Sequence, residues 1–164
     1  MVMDENEIIK ILNYKIFDEM KSYLIKNLAE NPERFVGLFR STTPSLKLLQ
    51  NLLQSREIRF GDALEEIIRA FISQMGFINL DRILIPEGKK KLDCDQYFSD
   101  VEKNVFYLIE QKVRDDHDST KKSGQIENFE KKLKFLKDKH QHIVGIMYFI
   151  DPSHKKTKLI IKNL

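Results

Sequence analysis

The sequence predicts an α/β (α+β) domain whose sheet is flanked by helices, behind a helical N-terminal region. Three observations lead there. Apolar residues recur at helical spacing through roughly the first 75 positions; after Gly76 they fall into short runs of strand length; and one further amphipathic stretch interrupts those runs. With 164 residues and 41% hydrophobic content, the chain can bury one sizeable core.

Over Glu5 to Leu28, the residues Ile8, Ile9, Leu12, Ile16, Met20, Leu24 and Leu28 mark a first helix, and "NPERF" stops it. The connection "RFVGLFRSTTPS" leads to a second helix with Leu46, Leu49 and Leu53 on one face, capped by Ser45 or Thr43. In "GDALEEIIRAFISQMG" a third helix carries Leu64, Ile67, Ile68, Phe71, Ile72 and Met75 as one stripe, with Gly76 as its stop. Glu66 falls opposite that stripe, and Glu65 at its edge, about 90° from the centre.

"FINLDRILI" reads as a strand and "PEGKKK" as a turn. "KLDCDQYF" and "VFYLIEQKV", joined by the turn "SDVEKN", read as an antiparallel hairpin. An amphipathic helix follows from about Ser119 to Lys139, with Ile126, Phe129, Leu133 and Leu136 inward and Ser119 or Thr120 as its cap. "HIVGIMYFI" is apolar on both faces, as a covered central strand is. "DPSHKK" turns the chain into a last strand, "TKLIIKNL". The expected division is a helical region at 1–60, packed on a core at 61–164, within a single domain overall.

Composition excludes several classes. The single cysteine, Cys94, rules out a disulfide framework and fits a reducing, cytoplasmic compartment. Apolar runs fall far short of the roughly 20 residues of a membrane span. The acidic start "MVMDENEIIK" lacks the pattern of a secretory signal. A net charge of +3 neither demands nor excludes a nucleic-acid partner.

The chemistry concentrates where the hairpin ends. On "VFYLIEQKV", Glu110 and Lys112 share a face, about 7 Å apart along the strand. On the preceding strand Asp93 and Asp95 also share a face, and hairpin pairing brings one of them beside Glu110. Two carboxylates at that distance repel unless one is protonated or a cation sits between them. A hard cation such as Mg²⁺ takes oxygen ligands and keeps several waters. A bound metal stabilises charge on a phosphate under attack. A neighbouring lysine orients the attacking water, or accepts its proton when its own pKa is depressed.

These residues, Asp95 followed by Glu110-Gln111-Lys112 on the next strand, resemble the PD-(D/E)xK nuclease superfamily. The continuation "VRDDHDSTKKSGQ" resembles a block of type II restriction endonucleases in particular. The resemblance spans about Gly61 to Ile150. It implies a restriction-endonuclease-like core with a mixed β-sheet, and a Mg²⁺-dependent enzyme, with Mn²⁺ as a substitute, that hydrolyses double-stranded DNA at a specific site to leave 5′-phosphates. Residue by residue, the first acid falls on Asp95 or Asp93, with Asp95 preferred because Tyr97-Phe98 follow it. The second acid falls on Glu110 and the lysine on Lys112. Glu65 resembles the additional acidic ligand of some members. The superfamily's proline is absent before either aspartate.

Ordinary readings stand beside these. Glu110 and Lys112 could be a surface ion pair on an edge strand, against which stands the apolar run up to Ile109; Glu65 could be a helix-flank carboxylate facing Arg69. "RDDHDSTKK" is a hydrophilic loop, or a phosphate-binding one in which Arg114, Ser119, Thr120, Lys121, Lys122 and Gln125 meet DNA. His117 among Asp115, Asp116 and Asp118 makes a weak zinc site. "EKKLKFLKDKH" reads as a solvated basic face, Cys94 as a core residue opposite the acids, and Arg40, Ser41 and Thr42 as a turn. A palindromic target implies a homodimer. Because "KLIIKNL" closes the chain directly after a strand, base readout is expected from the N-terminal helices, from the loop 115–122 or from a region outside this chain. Rival functions are a repair or structure-specific nicking nuclease, and a catalytically silent DNA- or protein-binding module.

Overall fold

The computed structural model describes residues 3–36, 41–84, 92–112, 119–149 and 158–163, with backbone alone at 83, 84, 92, 119–122, 149, 158 and 159. The chain divides into two compact units, Met1–Ala70 and Phe71–Leu164.

The first unit is helical. Helix α1 (Glu5–Asn13), a π-helical turn (Tyr14–Glu19) and helix α2 (Met20–Glu30) follow without interruption, so the first expected helix is present. Asp4 caps it by accepting the Asn6 N–H, while Glu5 and Glu7 in the first turn complement the helix dipole. A 3₁₀ turn at Pro32–Arg34 ends this run. Helix α3 then spans Pro44–Gln74. Thr43 is its cap: the Thr43 Oγ1 accepts the Leu46 N–H at 3.4 Å.

The two helices expected here are one. Gly61 interrupts the apolar pattern but not the hydrogen bonding, since an isolated helical glycine costs only about 1 kcal/mol against alanine. Arg59 spans the glycine by pairing with Asp62 at 3.1 Å, and it reaches Glu19 at 2.7 Å. Lys15 adds contacts to Glu19 and Glu66, which ties α3 to the preceding helical run. Leu46, Leu49 and Leu53 lie on an exposed face of α3.

In the second unit, α3 stops as the sequence indicates. Gly76 takes φ +90°, its N–H bonds to the Ser73 carbonyl, and the Phe77 N–H reaches back to Ile72, the paired bonds of a glycine-terminated helix. The strand expected over "FINLDRILI" is broken into β1 (Ile78–Asn79) and β2 (Ile83–Leu84). "KLDCDQYF" is broken too, into β3 (Leu92–Asp93) and β4 (Gln96–Asp100). The pieces serve different sheets: β2 pairs with β3 in a two-stranded ribbon, while β1 and β4 join the main sheet.

The remaining elements are β5 (Val105–Lys112), α4 (Ser119–Lys137), β6 (Ile143–Phe149) and β7 (Lys158–Asn163). Among the described residues the main sheet runs β1-β4-β5-β6-β7. The β4–β5 hairpin is antiparallel as expected, and β5 and β6 are parallel, joined across α4. The sheet is therefore mixed, and β5 is central rather than an edge. Asn104, at φ +52°, closes the hairpin turn, where the Lys103 N–H bonds to Asp100 Oδ1. The turns expected at "PEGKKK" and "DPSHKK" lie outside the described residues.

The core lies between this sheet and α4. Phe129, Leu133 and Leu136 of α4 pack with Tyr97, Leu108, Ile143 and Met147. Cys94 belongs to this cluster, on the side of Leu108 and Glu110, and not on the face opposite the acids. The chain bends at Asp95, so strict alternation does not carry through from Cys94 to Tyr97. Burial, then the Glu110 charge, pushes the Cys94 thiol up to about 12.

Two predictions follow from this packing. A Cβ on Gly145 would lie 2.5 Å from both methyl groups of the fully buried Leu133. Gly145→Ala is thus expected to destabilise the fold by about 1–3 kcal/mol, read as a lowered denaturant midpoint with unchanged slope. His140 stacks on Phe106 with ring centroids 3.6 Å apart and is hydrogen-bonded to the Tyr97 hydroxyl. Burial, then the neighbouring Lys139 charge, holds its pKa below the ordinary 6.5. The unfolded chain therefore takes up this proton first as pH falls. Its contribution to stability is complete above the unfolded pKa and lost as pH drops through the folded one. The stability advantage of wild type over His140→Gln should accordingly shrink between about pH 7.5 and about pH 5, measured by urea unfolding at each pH.

Candidate active site

The hairpin register builds the site. Gln96 pairs with Ile109, which sets Asp95, one residue earlier, across from Glu110. Asp95 itself lies in the bend before β4, held there by Arg82. The Arg82 carbonyl accepts the Cys94 N–H at 3.0 Å, and its Nη1 donates to the Asp95 carbonyl at 3.3 Å. The Gln111 N–H donates to Asp95 Oδ2 at 2.7 Å, which locks the carboxylate to the end of β5.

Lys112 stands between the two acids. Its Nζ is 3.3 Å from Asp95 Oδ2 and 3.5 Å from Glu110 Oε2. Glu110 is buried, and its Oε1 accepts a 2.6 Å hydrogen bond from Lys132 Nζ on α4. Beside them the Tyr148 hydroxyl donates to Gln111 Oε1 at 2.8 Å. The arrangement is two carboxylates and two ammonium groups, balanced in charge and largely removed from water.

The titration directions follow. Burial, then the Asp95 charge, raises the Glu110 pKa against the opposing pull of Lys132 and Lys112. Burial pulls the Lys112 ammonium down, but Asp95 and Glu110 together outweigh it, so its pKa is raised. Burial, then Asp95, raises the Tyr148 phenol.

Of the sequence-derived candidates, Asp95, Glu110 and Lys112 are brought together. The surface-pair reading of Glu110 and Lys112 is overturned, because β5 is the middle strand and Glu110 is covered by α4. Asp93 is exposed and pairs with Ile83 in the small ribbon. Glu65 lies half-buried on α3 in the first unit. Gln125 is half-buried on α4, and its Oε1 has no hydrogen-bond partner among the described residues. Ser119, Thr120, Lys121 and Lys122 begin α4, with side chains outside the described residues. Arg40, Arg114, Asp115, Asp116, His117 and Asp118 lie outside them altogether.

Sequence reasoning missed Arg82 and Lys132. Of the lysines in the basic stretch "EKKLKFLKDKH", Lys131, Lys134 and Lys137 are exposed, as a solvated face requires. Lys132 instead is buried. The signal was present: it lies three residues after Phe129 and four before Leu136, on the helix's inward stripe.

Can these residues hold a divalent cation? Among the described residues no three His, Cys, Asp or Glu side chains group as ligands. The donor chemistry fits nonetheless. Two carboxylates from adjacent strands face one position, an ammonium already stands within 3.5 Å of both, and a hard cation that keeps several waters needs few protein oxygens.

Comparison with known proteins places the chain in a class: a family model of type II restriction endonucleases matches residues 4–83 and 84–159. The chain belongs to that family, HinfI, whose members are site-specific deoxyribonucleases acting on DNA. No curated protein and no solved structure matches it. Among the described residues no helix is long and apolar enough to cross a membrane.

The buried pair makes one prediction independent of DNA. Glu110→Gln leaves Lys132 without its counter-charge and is expected to cost about 3–5 kcal/mol. Adding Lys132→Met should recover part of that loss, with a coupling of about 1–3 kcal/mol in a double-mutant cycle of unfolding free energies.

Proposed function

We propose that this restriction endonuclease is Mg²⁺-dependent and cuts double-stranded DNA through a PD-(D/E)xK-type site made of Asp95, Glu110 and Lys112. The observation that carries the reading is the meeting of the two carboxylates at the end of the β4–β5 hairpin, with Lys112 within 3.5 Å of both. Asp95 and Glu110 would hold the cation, which when bound stabilises negative charge on the phosphate under attack. Lys112 orients the attacking water for in-line displacement and donates a hydrogen bond to a phosphate oxygen. The Gln111 N–H keeps Asp95 in place during turnover. The excluded environment strengthens each of these interactions. The expected products carry 5′-phosphates, and a palindromic target would call for a homodimer.

Incubation of the protein with phage DNA and Mg²⁺, followed by sequencing of the fragment ends, tests the reading. Discrete fragments sharing one end sequence are expected, with none when the metal is chelated. Lys112→Ala should lower the cutting rate by at least about 100-fold while the thermal unfolding transition persists. Cutting by Lys112→Ala at the wild-type rate, or by wild type in chelator, would remove the assignment.

A further inference from the structure

The same cluster holds a group that this mechanism leaves without a task. Lys132 reaches Glu110 from α4, both side chains being 6% exposed, at 2.6 Å. The whole residue is buried, on the inward face of α4 that it shares with Phe129 and Leu136. A hydrogen bond of this length between charged groups is strong and directional. It engages Oε1 alone. The other oxygen, Oε2, is left on the side of Lys112 and Asp95.

We propose that Lys132 is a positioning residue for the metal-ligating carboxylate: by gripping Oε1 it fixes the rotation of the Glu110 carboxyl and presents Oε2 toward Asp95. This rests on the reading that Asp95 and Glu110 hold a divalent cation. The alternative is that Lys132 only neutralises a buried acid. The two roles separate on the donor to Oε1. Loss of the positive charge acts alike in a methionine and a glutamine variant, whereas loss of the grip weakens binding only where no donor to Oε1 remains.

Mn²⁺ alone, titrated calorimetrically into the full chain without DNA, separates them. The proteins are wild type, Asp95→Asn, Lys132→Met and Lys132→Gln, each checked for a cooperative melt by circular dichroism. Lys132→Met is expected to bind Mn²⁺ about tenfold or more weakly than wild type, as loss of a ligand-orienting partner does. Lys132→Gln drops the charge but keeps an N–H donor for Oε1, and it should stay within about threefold of wild type. If Lys132→Met does not fold, the Gln variant decides by the same criterion. Binding tighter than wild type in either variant, unchanged binding in Lys132→Met, or a Gln variant outside that margin overturns the positioning role. Wild-type binding that Asp95→Asn does not diminish is a different failure: it sinks the metal reading itself, and this inference with it.

Discussion

Asp95 and Glu110 are two acids that an antiparallel register sets across from each other at the end of a buried strand, and the surrounding structure is organised by that repulsion. Water, largely withdrawn from both side chains, does little to relieve it. Two ammonium groups do, Lys112 between the acids and Lys132 behind Glu110. A buried ion cluster of this kind is weak evidence for stability, since desolvation consumes much of the Coulombic gain. Under the proposed function, its place at a strand end, beside a backbone N–H that fixes one acid, serves the chemistry.

The scaffold supplies what the cluster needs. The parallel pair β5 and β6 requires a crossover, and α4 provides it while delivering Lys132 to the underside of Glu110. Gly145 lets α4 come close enough, with Leu133 filling the space where a side chain would stand. Glu110 and Lys112 sit at the carboxyl end of β5, the end at which open sheets with parallel strands usually bind ligands. Arg82, on the short connection before the ribbon, pins the bend that turns Asp95 inward.

The helical first unit is held differently. Arg59 and Lys15 link α3 to the earlier helices through Glu19, Asp62 and Glu66, pairs that are partly exposed and individually worth little. Apolar side chains are prominent on its surface, including Leu46, Leu49, Leu53 and Ile58. The family match extends over both units, so this helical part is as much a family feature as the sheet that carries the acids.

Much of this was legible in the chain itself. Periodicity of three to four placed the helices, Gly76 announced its own left-handed turn, and alternation on β5 put Glu110 and Lys112 on one face, because these are properties of a single element and its nearest neighbours. The continuity of α3 through Gly61 and the breaks in "FINLDRILI" and "KLDCDQYF" were not, since partners distant in sequence decide whether a helix persists or a strand stops. The same holds for the site. Local spacing singled out Asp95, Glu110 and Lys112, which the fold brings together, while the second lysine stayed hidden among exposed ones until α4 was laid against the sheet. Which charge on an amphipathic helix loses its water is a property of the surface it meets, and the sequence of the helix alone does not contain that surface.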